Sequence, residues 1–167
     1  MSMYTEISRD EPMIVMTRVY DAPCDLVWEA ITQAAHVRRW WGGPGFSNPV
    51  CEMDVRVGGS WTHVMRFPDG TELDLDFVFL EVEKPRRLVW QHRDYEGRGD
   101  DKTASRMTVT LEDLGGKTRW TLVTRFRSMQ GRDAAVEFGF TRPIEASNDR
   151  LTGYLKEMAA PAAQPNP

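Results

Sequence analysis

Over much of the stretch from residue 51 to 126, apolar and polar side chains change places at every position. This is the period-two pattern of strands that bury one face only. Cys51, Met53, Val55 and Val57 alternate with Glu52, Asp54 and Arg56, and Gly58 and Gly59 end the run. Trp61, His63, Met65 and Phe67 share one face of the next predicted strand, which turns at Pro68, Asp69 and Gly70. Leu73, Leu75, Phe77 and Phe79 then oppose Glu72, Asp74 and Asp76, and after Lys84 and Pro85 a strand carries Leu88, Trp90 and His92 on one side. Met107, Val109 and Leu111 lead to a hairpin turn at Gly115 and Gly116, from which Trp120, Leu122, Thr124 and Phe126 return. Consecutive strands of this kind predict an antiparallel sheet covered on one side.

The cover is predicted from the two ends of the chain. Met13 to Tyr20 alternates as a first strand and stops at Asp21, Ala22 and Pro23, where a short helix with Val27, Ala30, Ile31 and Ala34 on its buried face begins. A second short helix carries Val37, Trp40 and Trp41 and ends at Gly42, Gly43, Pro44 and Gly45. After a short helical segment over 132–138, apolar residues recur at Phe140, Ile144, Leu151, Tyr154, Leu155 and Met158 with helical spacing. Such a helix, with Pro143 near its start and Gly153 inside it, is marginal alone and needs a partner surface. The predicted fold is one α+β domain over 13–158, a curved sheet gripping the terminal helix. Residues 1–12 are expected to form a flexible arm, Tyr95 to Lys102 a mobile loop, and 159–167 a disordered tail.

Composition narrows the function classes. The 167 residues carry a net charge of -4, so no general attraction to nucleic acid or to an anionic membrane is expected. No apolar run reaches membrane-spanning length and the start is too polar for a secretion signal, so the cytoplasm is the expected location. Cys24 and Cys51 stand alone and read as free structural thiols. No nucleophile elbow, phosphate-cradling glycine loop or metal-ligand spacing is present, so neither cofactor nor metal is expected.

One ordered series of residues resembles a known family. Ala22, Pro23, Val27, Trp28 and Ala30, then Trp40, Trp41 and Gly42, then Asp54, Arg56, Gly58 and Gly59 are similar to the SRPBCC superfamily's branch of homologues of the activator of heat-shock protein 90 ATPase. Asp69 with Gly70, Pro85 with Arg87 and Leu88, Gly116 with Thr118 and Arg119, and Asp149, Arg150, Leu151 and Leu155 continue it in the same order. The resemblance implies a helix-grip fold: a seven-stranded antiparallel sheet around a long C-terminal helix, two short helices closing one end, and an apolar cavity inside. It leaves chemistry open, because carriers, cyclases and co-chaperones share that fold.

The covered face supplies the candidate site. His63, His92 and Thr124 point the same way as Trp61, Met65, Phe77, Phe79, Trp90, Met107 and Trp120, with Phe140, Ile144 and Leu151 facing them from the terminal helix. The polar three either orient a mostly apolar ligand or are core residues satisfied by neighbours. Trp40, Trp41 and Phe46 either line the entrance or plug the end of the sheet. His36 reads as a surface residue, and the pairs Asp74 with Asp76 and Glu81 with Glu83 as solvated surface. Three functions follow: a non-enzymatic binder of a small hydrophobic or amphipathic molecule, a chaperone cofactor acting through its outer surface, or an enzyme using cavity histidines. A homodimer through an exposed sheet edge is also open.

Overall fold

The computed structural model describes residues 2–96 and 103–160. Eight strands form one antiparallel sheet: β1 (Tyr4–Ile7), β2 (Met13–Tyr20), β3 (Ser47–Met53), β4 (Ser60–Arg66), β5 (Glu72–Glu83), β6 (Arg87–His92), β7 (Ser105–Asp113) and β8 (Thr118–Phe126). Their spatial order is β1-β2-β8-β7-β6-β5-β4-β3. Helices α1 (Cys24–Thr32) and α2 (Ala34–Trp40) connect β2 to β3, and α3 (Met129–Phe138) precedes the terminal α4 (Thr141–Ala159). This is the helix-grip fold, with eight strands rather than seven. The additional strand is β1: four residues of the stretch expected to be a loose arm pair antiparallel with β2, Tyr4 opposite Thr17 and Ile7 opposite Ile14.

Two bulges explain where strict alternation misleads. Along β5 an unbroken period of two would carry Glu81 and Glu83 onto the same face as Phe77 and Phe79. The register shifts between Phe79 and Glu81, so Leu80 is accommodated as an extra residue and both glutamates turn outward. Glu81 then meets Arg87 at 3.0 Å, as Asp76 meets Arg93 at 3.2 Å. The second irregularity lies between Ser47 and Val50, at Pro49 of the edge strand β3. It turns Asn48 and Cys51 both inward, although they are three residues apart. The strand predicted over Cys51 to Val57 accordingly starts earlier and ends at Met53, leaving Val57 exposed.

At the other end of the chain α3 closes on Gly139, whose φ of 93° is the left-handed cap a helix terminus favours. Pro143 therefore falls in the first turn of α4, where its missing N–H is harmless, and α4 continues unbroken past Gly153. The core lies between the sheet and the helices. It joins Ile14, Met16 and Tyr20 of β2 to Val27, Trp28 and Ile31 of α1, the inner faces of β4 to β8, and Leu151 and Leu155 of α4. Among the described residues no helix is long and apolar enough to cross a membrane. Of the expected mobile loop and tail, residues 97–102 and 161–167 lie outside the described residues.

Candidate functional site

Strand pairing lays the predicted residues out in rows across the covered face. Phe79, Trp90, Met107, Thr124 and Ile14 lie side by side from β5 to β2, and Trp61, Phe77 and His92 form the neighbouring row. The space between them is largely occupied by their own rings. Trp61 is the hub: its ring centroid lies 4.9 Å from Phe77, 5.4 Å from Trp90, 5.2 Å from Trp41 and, stacked, 6.0 Å from Phe79. Trp120 packs edge-on against Tyr20, and Phe140 against Phe126. Leu151 is fully buried from α4, whereas Phe140 and Ile144 are half-buried at its start. Met65 is buried toward the end of β4, and Met107 completes the row beside Trp90.

His63 is a satisfied core residue. Its Nδ1 accepts from Trp61 Nε1 at 3.2 Å, which leaves the ring proton on Nε2 to be donated to Asn48 Oδ1 at 2.8 Å. Asn48 is fixed in that orientation because its Nδ2 donates to Arg38 O and Trp41 O, both at 3.0 Å. Burial, reinforced by the Arg38 guanidinium, pushes the His63 pKa down to about 4, so the ring is neutral at pH 7. His92 is half-buried, and its Nδ1 accepts the Ser105 backbone N–H at 2.9 Å. Among the described residues neither of these two imidazoles is hydrogen-bonded to a carboxylate.

The entrance residues divide. Trp40 is buried and donates from Nε1 to Ala30 O at 2.9 Å, closing the end of α1. Trp41 is half-buried with its ring 5.0 Å from His63, so it borders the covered face. Phe46 instead packs on Phe67 at 5.0 Å, outside that face. His36, read as a surface residue, is half-buried and bonds through Nδ1 to Tyr154 of α4.

The polar members that alternation and composition did not single out are Arg18, Tyr20, Asn48, Ser147 and Asn148. Arg18 lies on the inward side of β2 among Met16, Tyr20 and Trp120 and is only 4% exposed. Its Nη2 reaches Asp149 of α4 at 2.7 Å. Tyr20 donates its hydroxyl to Asn148 Oδ1, and burial holds its phenol above the ordinary pKa. Ser147 accepts from the Gly42 N–H at 2.7 Å. The alternation of Met13 to Tyr20 contained a signal for Arg18, because it shares parity with Ile14 and Met16; Asn48 was signalled only by the bulge-prone Asn-Pro pair.

Two buried donors on this face have no acceptor among the described residues: Arg18 Nε and Trp90 Nε1. Leaving such a group unpaired costs about 1 to 3 kcal/mol. They lie three strands and four residues apart, at most about 20 Å over a flat sheet. Two open hollows, of about 380 and 420 Å³, both lie outside the space between sheet and α4.

The sequence model for "Activator of Hsp90 ATPase homolog 1-like protein" matches residues 21–156, most of the chain. The chain belongs to this family. The match takes in α1 to α3, β3 to β8 and most of α4, and leaves β1 and β2 outside it. Solved structures agree on the fold. A crystal structure of a Nitrosomonas europaea protein has a TM-score of 0.81 at 24% identity, covering 90% of this chain and 98% of that one. A solution structure of an Arthrobacter aurescens protein reaches 0.83 at 23% identity, covering 98% of both chains. CalU16 from Micromonospora echinospora reaches 0.65 at 25% identity, over 95% of this chain and 89% of its own. Likeness at this level of identity carries the fold and not a ligand. No curated protein matches the chain in sequence.

Proposed function

We propose that this family member binds a small hydrophobic or amphipathic molecule between the sheet and α4 and does not transform it. The reading rests on Arg18 Nε and Trp90 Nε1, which have no acceptor among the described residues and stand on a mostly apolar, aromatic face. A ligand bearing an acceptor would relieve the cost of a buried N–H while its apolar part displaces or slides between the rings around Trp61. A compact ligand reaches one donor; an elongated, lipid-like one reaches both. The neutral, doubly bonded His63 favours binding over catalysis, since neither ring nitrogen is free to take a proton from a substrate.

The test is native mass spectrometry of the protein as purified, followed by titration with the neutral dye Nile red. A co-purifying small molecule or one equivalent of bound dye, weakened in Trp90→Phe and Arg18→Met, supports the reading. Absence of both sinks it. Activity that survives leucine at both His63 and His92 would also dispose of a histidine-based enzyme.

The family's description names activation of the Hsp90 ATPase, which makes a chaperone partner the second reading. Stimulation of the organism's own Hsp90 ATPase by the purified chain, unchanged in Trp90→Phe, would replace the first reading with this one.

A further inference from the structure

The hollow of about 420 Å³ lies beside α2, where Arg38, Arg39, Arg66 and Arg150 meet Phe46, Ser47, Asn48 and Pro49. Among the described residues its lining holds four guanidinium groups and no carboxylate, in a chain whose net charge is -4. Four elements besides the Phe46 loop converge to make it: the last turn of α2, the start of β3, the end of β4 and the middle of α4.

Two of the four arginines have acidic partners. Arg66 Nη2 meets Glu72 at 2.8 Å, and Arg39 approaches Glu157 at 3.9 Å, both exposed pairs that contribute little. Among the described residues the other two reach only backbone carbonyls. Arg38 Nη2 donates to Cys51 O at 3.3 Å. Arg150 donates from Nη2 to Arg39 O at 2.7 Å and from Nη1 to Trp41 O, Gly42 O and Gly43 O at 3.2 to 3.4 Å. Arg150 thereby ties α4 to the carbonyl end of α2 and holds a full positive charge at the wall of the hollow. Carbonyl dipoles orient that charge without neutralising it.

A planar, permanently charged fork pairs bidentately with carboxylate and phosphate alike, but several such charges around one hollow favour a dianionic phosphate over a singly charged carboxylate. Phe46 and Pro49 supply an apolar side against which an organic substituent can rest. We propose that this hollow binds a small soluble phosphate monoester, with Arg38 and Arg39 gripping the dianion and Arg150 providing fixed charge behind them. This site is separate from the covered face, and its fate does not depend on the ligand proposed there.

The probe is phenyl phosphate, titrated calorimetrically at low salt, with phenol and inorganic phosphate as comparisons. One equivalent of phenyl phosphate is expected to bind, more tightly than inorganic phosphate, with no binding of phenol and weakening as salt rises. The double variant Arg38→Gln with Arg39→Gln is expected to lose about tenfold or more in affinity. Its thermal unfolding temperature should fall only slightly, because both side chains are exposed and give up only weak contacts, among them Arg38 to Cys51 O and Arg39 to Glu157. Arg150 is left intact because it fastens α4. Failure of phenyl phosphate to bind, equal binding of phenol, or full affinity in the double variant overturns the proposal. Sedimentation with phosphatidic acid vesicles without phenyl phosphate binding would assign the same chemistry to a lipid headgroup and overturn the soluble ligand.

Discussion

If His63 is neutral because it is buried between Trp61 and Asn48, the protein must lose stability on mild acidification. The folded pKa is about 4 against an ordinary value of 6.5, so between those pH values the unfolded chain binds a proton that the folded chain refuses. Stability from this group is therefore fully present above pH 6.5, falls as pH falls, and levels off below about 4. Working the linkage through from pH 7 to pH 5 gives a loss of about 2 kcal/mol from this one ring. Urea unfolding of the wild type at both pH values reads the total change, and His63→Gln removes the titrating proton while keeping an acceptor for Trp61 and a donor for Asn48. The wild type should lose about 2 kcal/mol more than the variant over that interval. His63→Leu leaves a buried indole N–H and a buried amide oxygen without partners, and should cost about 2 to 6 kcal/mol at pH 7. Equal pH dependence in wild type and His63→Gln would refute the reasoning, since an imidazole free to charge in the fold contributes no such slope.

Three further outcomes follow from packing and backbone geometry. Leu151→Ala, at a fully buried position of α4, should cost about 2 to 5 kcal/mol by urea unfolding, while Leu73→Ala, 42% exposed near the start of β5, should cost under about 1 kcal/mol. Gly42→Ala should destabilise by about 1 to 3 kcal/mol: its φ is 84°, and an added Cβ would lie 2.6 Å from the Phe46 Cβ. Burial pushes the Cys51 thiol up to about 11, so under native conditions at pH 8 a disulfide reagent should modify Cys24 first, and Cys51 at the rate of unfolding. Equal rates for the two thiols would contradict that environment.

Much of this architecture is legible in the alternation. The inward faces of β4, β6, β7 and β8 follow from Trp61, His63 and Met65, from Leu88 and Trp90, and from the long runs to Leu111 and Phe126. What alternation cannot carry is a change of phase. Leu80 and Pro49 each insert a residue into a strand; the charge of Glu81 and Glu83 marks them as surface, but only pairing with the neighbour reveals the change of phase that turns them outward and Asn48 toward the core. Nor does a pattern of apolar residues announce a buried charge. Arg18 has the right parity but the wrong chemistry for a core, and its ion pair joins residues 131 positions apart in sequence, a separation no local signal spans. β1 was missed for a related reason: all four of its residues are exposed, so hydrophobic pattern gave it no mark. The four arginines of the hollow are likewise scattered over α2, β4 and α4, and only the fold assembles them.

The central claim is that the face holding Trp90 receives a ligand, and the indole N–H resonances of the tryptophans test it most directly. On titration with Nile red, the Trp90 Nε1–H should shift markedly and saturate at one equivalent as it gains an acceptor. The Trp40 Nε1–H, already bonded to Ala30 O, should move little. If the dye binds while the Trp90 resonance stays in place, or does not bind at all, the covered face is a packed core and the binding function is wrong.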